Sequence, residues 1–159
     1  MRVAQKSSKI DEGQKLLPRM QKSWQIMMAS DNDRDMALGS CVQFMYQCSQ
    51  RVGTDFTQSK GGDTYGATTI CVKHAKVEPS KIVFRFRTKL DGMQNIILPK
   101  ASSDKWQKLL YRNLTERFLV GKDEDEKVWS WRERRTSRYV HNKDVKITKI
   151  GRASCRERV

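Results

Sequence analysis

The sequence predicts an α+β chain, mainly helical, with a small three-stranded antiparallel sheet. Three observations predict it. Apolar residues recur at helical spacing twice in the early part of the chain. Two β-rich segments and a third joined through an Asp-Gly hairpin signal follow. A further helical spacing comes after them. Helices, then strands, then a helix is the order of a segregated α+β arrangement.

Residues Met1 to Lys15 are polar and basic with few apolar anchors, a frayed start or the end of a helix. From Pro18 the spacing of Met20, Trp24, Met27 and Met28 predicts a helix, with Pro18 in its first turn, where a missing N–H is harmless. Ser30 to Asp33 is a turn that supplies the next N-cap. Leu38, Cys41, Val42, Met45 and Cys48 then form one apolar stripe on a helix from about Arg34 to Gln50. Thr54 to Tyr65 is polar and glycine-bearing and reads as a loop. Three strands are expected at Ala67–Val72, Lys81–Arg87 and Met93–Leu98, the last two joined through Asp91-Gly92. In the middle strand Ile82, Phe84 and Phe86 share one face, and Arg85 and Arg87 the other. Ser103 to Leu114 reads as a helix burying Trp106, Leu109 and Leu110. Val120 to Lys127 is an acidic turn, Val128–Trp131 a short strand, and Thr136 to Lys149 the start of another helix.

The chain has 159 residues, 32 Lys and Arg against 18 Asp and Glu, and a net charge of +14. Such a balance on one domain-sized chain points to a polyanionic partner, above all nucleic acid. No run approaches the roughly 18 apolar residues of a membrane span. The N-terminus lacks the apolar stretch of a signal peptide. Neither a membrane protein nor a secreted one is expected.

The last ten residues, Ile150 to Val159, carry no periodicity and resemble one reading frame of a sequencing-library adapter; the alternative is a natural basic tail. Arg152, Arg156, Arg158 and Glu157 contribute a net +2 there, so +12 of the charge lies in residues 1–149. On the adapter reading, residues 1–149 are part of a longer natural chain that continues beyond Lys149. Cys155 also lies in the tail. The other cysteines, Cys41, Cys48 and Cys71, are odd in number and form no Cys-x-x-Cys, and His74 and His141 are far apart. A disulfide framework and a zinc site are not expected, and a reducing compartment is.

Three positions have chemistry to offer. Arg51 leaves the amphipathic helix and enters a glycine-bearing loop, where a guanidinium can give several donors to a phosphate or simply complement the helix dipole. Lys89 precedes the Asp91-Gly92 turn and is either a group that reaches DNA and donates a proton, or a solvated turn lysine. Arg85 and Arg87 make a basic ladder on one strand face.

Taken together, Arg51-Val-Gly-Thr-Asp, Gly62-Asp-Thr-Tyr-Gly-Ala-Thr-Thr-Ile70, Lys73-His-Ala-Lys-Val77 and Val83-Phe-Arg-Phe-Arg-Thr-Lys89 resemble the catalytic core of type IB DNA topoisomerases, in particular the compact bacterial and viral branch. The likeness runs over roughly Lys15 to Leu98 and more weakly to about Val140. It implies the fold shared by tyrosine recombinases and these topoisomerases. It implies that Arg51 stabilises charge on the scissile phosphate and that Lys89 is the general acid toward the departing 5′-oxygen. Tyr65, Lys73, His74, Arg85 and Arg87 become DNA-binding residues. The implied partner is double-stranded DNA, bound by a monomer without cofactor, ATP or metal. The implied location is the cytoplasm or nucleoid, or the interior of a virus-infected cell.

The departures are local. Thr54 and Asp55 replace the usual Asn and Glu, Thr88 replaces the Gly before the lysine, and the loop from Arg51 to Tyr65 is one residue longer. The family's second arginine, histidine and tyrosine nucleophile are not assigned. Tyr139 and His141 fall too early and in the wrong order. The chain as it stands is therefore expected to lack cleavage activity. A tyrosine recombinase fragment and a non-catalytic basic DNA-binding module stay open as alternatives.

Overall fold

The computed structural model describes residues 2–53, 58–59, 62–88, 92–132 and 139–141. Helix α1 (Arg2–Met28) is followed by α2 (Asp33–Cys48). A two-residue ladder pairs β1 (Gln58–Ser59) with β2 (Gly62–Asp63), antiparallel. A 3₁₀ turn, Val72–His74, leads into the sheet of β3 (Ala75–Val77), β4 (Lys81–Arg87) and β5 (Met93–Pro99). Helix α3 (Lys105–Asn113) runs into a π-helical turn, Leu114–Phe118, and β6 (Ser130–Arg132) pairs with β7 (Tyr139–His141).

The central element is α2. Asn32 caps it, its side-chain oxygen accepting from Arg34 N at 3.0 Å and Asp35 N at 3.1 Å. Ser49, with φ 54°, ends it in the left-handed region. The predicted stripe is buried from Leu38 to Met45, with Cys48 half-buried, but so is the rest of the helix from Ala37 to Met45. On one side lie α1 and α3, and on the other Phe44 meets Phe84 of β4 at 5.1 Å and Trp129 at 5.6 Å between ring centres. A Cβ on Gly39 would come within 2.5 Å of Met28 N and Trp24 O, so the missing side chain sets how closely α1 approaches α2. Two polar ties lock this layer. Trp24 Nε1 donates to Gln43 Oε1 at 2.8 Å, and Asn113 Nδ2 donates to both Met28 O and Ser40 Oγ. The second satisfies a carbonyl at the C-terminus of α1 that has no partner within its own helix.

The sheet order is β3-β4-β5, all antiparallel. Ile82, Phe84 and Phe86 of β4 and Ile96 and Leu98 of β5 face the core, as the alternation requires. Arg85 and Arg87 lie on the outer face.

Four expectations need correction. Residues 2–15 belong to α1, in line with the helical one of their two readings, but the helix passes through Pro18, which therefore lies in its interior and not its first turn. Good helix formers, Gln14 to Leu17 before it and Met20 to Lys22 after it, carry the helix across the lost hydrogen bond. The first strand of the sheet is Ala75–Val77, not Ala67–Val72. Thr69 Oγ1 accepts from Gly66 N at 2.9 Å and donates to Gly66 O at 3.3 Å, so the β-branched run closes a turn upon itself in place of a ladder. The short strand expected at Val128–Trp131 begins two residues later, at Ser130. Finally, Tyr139–His141 form β7, inside the stretch read as the start of a helix, because their backbone pairs with β6.

Candidate active site

Arg51 lies just past α2, whose end is capped by other residues. Ser49 N and Gln50 N both donate to Met45 O, and Gln50 Nε2 donates to Cys48 O at 2.9 Å. With those carbonyls engaged, Arg51 is exposed.

The Arg51 backbone is held by the turn at residues 66–69. Ala67 N donates to Arg51 O at 2.8 Å. Thr68 Oγ1 accepts from Gly53 N at 3.1 Å and donates to Gly53 O at 3.2 Å. The two glycines lie back to back. A Cβ on Gly66 would fall 2.5 Å from Gly53 Cα and N and 2.8 Å from Arg51 O; one on Gly53 would fall 2.2 Å from Thr69 Oγ1. No other residue pair allows this approach.

The same segment reaches the lysine hairpin. Tyr65 N donates to Arg87 O at 2.8 Å, two residues from the bond that holds Arg51. Beyond Arg87, Thr88 N and Thr88 Oγ1 both donate to Gly92 O, closing the base of the hairpin. Arg51, Tyr65 and the hairpin base are thus joined through Tyr65–Ala67. Lys89 and Asp91, like Thr54 and Asp55, lie outside the described residues.

Around Tyr65 the other predicted residues gather. Its ring packs on His74 at 4.2 Å, and His74 faces Phe86 at 6.2 Å. Burial pushes the Tyr65 phenol up, with Lys73 pulling the other way. His74 Nδ1 accepts from Cys71 N at 2.9 Å, which leaves the proton of the neutral ring on Nε2. Burial, and then Lys73, push the His74 pKa down, so the ring is a neutral donor at pH 7. Lys73 is exposed and engages Asp125 at 2.6 Å; that hydrogen bond holds the ammonium up and the carboxyl down. Arg85 is exposed on the outer sheet face and Arg87 is half-buried. Tyr65 and His74 therefore pack together, Tyr65 is tied by its backbone to Arg87, Lys73 borders them in an ion pair, and Arg85 is exposed on the outer sheet face.

Sequence reading missed what holds the site. Thr68 and Thr69 were expected to lie in a strand, although a glycine followed by two threonines is also the chemistry of a side-chain-closed turn. The acidic turn proves to be docked by its backbone, Val72 N donating to Glu126 O and Lys73 N to Glu124 O. Trp129, fully buried, donates from Nε1 to Ala67 O at 2.8 Å. A buried tryptophan needs an acceptor, but its sequence neighbours do not say which.

Among the described residues, no helix is long and apolar enough to cross a membrane. No curated protein matches the chain significantly. The family model of the eukaryotic DNA topoisomerase I catalytic core matches residues 1–141, a stretch that includes every element from α1 to β7. That description names the eukaryotic core and not the bacterial and viral branch that the motifs suggested. With the match spanning most of the chain and the site, the chain belongs to the DNA topoisomerase I family, type IB isomerases whose substrate is DNA.

Proposed function

We propose that this core serves an enzyme that relaxes supercoiled double-stranded DNA by cutting and resealing one strand. A tyrosine attacks the phosphodiester to form a 3′-phosphotyrosyl link, the free end rotates, and the 5′-oxygen reverses the attack. The bond energy stays in the covalent link, so the step consumes no ATP and calls for no metal. Arg51 neutralises charge building on the non-bridging oxygens. Lys89 protonates the leaving 5′-oxygen. His74 Nε2, Tyr65, Lys73, Arg85 and Arg87 bind the duplex around them. The protein acts as a monomer.

The observation that carries this reading is the convergence at Tyr65–Ala67. One short segment bonds to Arg51 O through Ala67 and to Arg87 O through Tyr65, so the arginine and the hairpin base are neighbours on one framework. A binding module with no catalytic role has no need for that coupling.

The nucleophile is assigned to none of the described tyrosine side chains. Tyr46 packs on Trp24, Tyr65 on His74, and Tyr111 against the core. The division into residues 1–149 and a tail at 150–159 belongs to the same proposal.

Two assays test it. The chain binds duplex DNA with an affinity that falls steeply with salt, because phosphate contacts release counterions; binding indifferent to salt overturns the reading. An enzyme carrying this core and a nucleophile-bearing segment relaxes plasmid in the presence of EDTA, and Arg51→Ala slows it by about 10²-fold or more. Undiminished relaxation by that variant removes Arg51 from the chemistry.

A further inference from the structure

Trp129 is fully buried between two aromatic rings, Phe44 at 5.6 Å and Phe118 at 5.4 Å. Its ring is therefore fixed by packing on both sides. Its backbone is fixed as well. Lys122 Nζ donates to Val128 O at 2.8 Å and to Ser130 O at 3.0 Å, the carbonyls of the residues on either side of it. Val128 N donates to Ile70 O at 3.0 Å. The one polar atom of the ring, Nε1, is aimed at Ala67 O.

That carbonyl belongs to the residue whose own N–H holds Arg51 O. The turn at 66–70 is thus gripped at Ala67 and Ile70 by residues 128–129, while its opposite edge grips Arg51 and Gly53. Within the turn, Thr69 and Gly66 bond only to each other's neighbourhood, which fixes its shape but not its place in the molecule. Placement comes from the Tyr65 bond to Arg87 O on one flank and from the Trp129 side, which among the described residues alone reaches Ala67 O.

We propose that Trp129 is a positioning residue for Arg51, its indole N–H setting where the 66–70 turn holds the arginine against DNA. This rests on the reading of Arg51 as a phosphate-facing group. Trp129 touches no DNA itself. It acts through Ala67, and Lys122 keeps the tryptophan's own backbone in register.

A double-mutant cycle in DNA binding tests this. Dissociation constants for a short fluorescein-labelled duplex are measured for the 159-residue chain, Arg51→Ala, Trp129→Phe and the double variant, across a salt series, with unfolding midpoints taken in parallel. Arg51→Ala weakens binding and lowers the salt slope by about 1. Trp129→Phe weakens binding about threefold when Arg51 is present and not at all when it is alanine, the non-additivity expected of groups in one hydrogen-bonded network. If Arg51→Ala changes neither affinity nor slope, the phosphate-facing reading of Arg51 is wrong and the positioning role falls with it. If Arg51→Ala weakens binding but Trp129→Phe acts equally in both backgrounds, or in neither, only the positioning role is overturned. Should Trp129→Phe unfold, benzothienylalanine at this one position keeps the bicyclic shape, lacks the N–H, and is expected to give the same threefold coupling in the same cycle.

Discussion

The helical layer and the site layer of this protein are held in place by different means. Between α1, α2 and α3 the fit is made by side chains: Trp24, Met28, Leu38, Met45 and Leu110 exclude water, and Gly39 sets the spacing. Around Arg51 the fit is made by the backbone. Carbonyls of Arg51, Gly53, Ala67, Ile70, Arg87 and Gly92 each accept a named donor, and the side chains that matter there are the hydroxyls of Thr68, Thr69 and Thr88 and the indole N–H of Trp129. Apolar packing tolerates substitution if volume is kept. Hydrogen-bonded loops fix direction, which is what the phosphate-facing role proposed for Arg51 requires.

The sharpest way to break this contrast is at Phe44, the residue that belongs to both layers. Phe44→Ala opens a void against Phe84 and Trp129 and is expected to cost about 3–5 kcal/mol, melting helices and site together in a single transition. Urea unfolding followed by circular dichroism and by tryptophan fluorescence checks it; two separated transitions would show the layers to be independent.

Next in size is a matched pair of glycine substitutions. Gly66→Ala and Gly39→Ala each drive a Cβ to 2.5 Å from backbone, an overpacking of about 1–3 kcal/mol. Gly39 is helical, so alanine recovers about 1 kcal/mol of propensity there. Gly66 recovers none, and its substitution pushes directly on Arg51 O. Gly66→Ala should therefore be the less stable of the two and should lose duplex binding, whereas Gly39→Ala keeps binding at a lower melting temperature. Equal losses of binding in both would erase the distinction.

The smallest effect expected is one of pH. Burial pushes the Lys122 ammonium down from 10.5 to about 8. Between those values the unfolded chain holds a proton that the folded chain has released, so this group makes the fold more stable as pH rises through the window. Cys71 and Tyr65, both pushed up by burial, act in the opposite sense toward the alkaline end. The measurement is therefore a difference: the stability of the chain relative to Lys122→Met, by urea unfolding at the two ends of the window, should grow with pH. A difference that is flat or shrinks contradicts the burial of this amine.

Much of the fold could be read from residues alone. The α2 stripe, the Asn32 turn, the alternation of Ile82, Phe84 and Phe86 and the hairpin after them are local patterns, each with a period or a cap that declares it. The passage of α1 through Pro18 was not legible, since the local rule weighs one lost hydrogen bond and not the good helix formers on both sides of it. The turn at 66–69 was misread for a related reason. Threonine favours a strand when its side chain packs on a pleated face, and a turn when its hydroxyl finds a backbone partner three residues away.

The sequence by itself determined α2, the β4–β5 hairpin, α3 and the basic character of the chain, and it raised Arg51 as a candidate, because periodicity, charge and motif spacing are properties of neighbouring residues. Only the tertiary structure decided what surrounds that arginine. Gly53 meets Gly66 and Thr68 across a long loop, Tyr65 meets Arg87 from another element, and Trp129 reaches Ala67 from 62 residues away. Each of those contacts has a backbone atom on at least one side, which every residue type carries, so the residue letters do not announce the pairing. They form because a buried N–H or C=O must find a partner, and the packing of α2 against the sheet decides which partners come within reach.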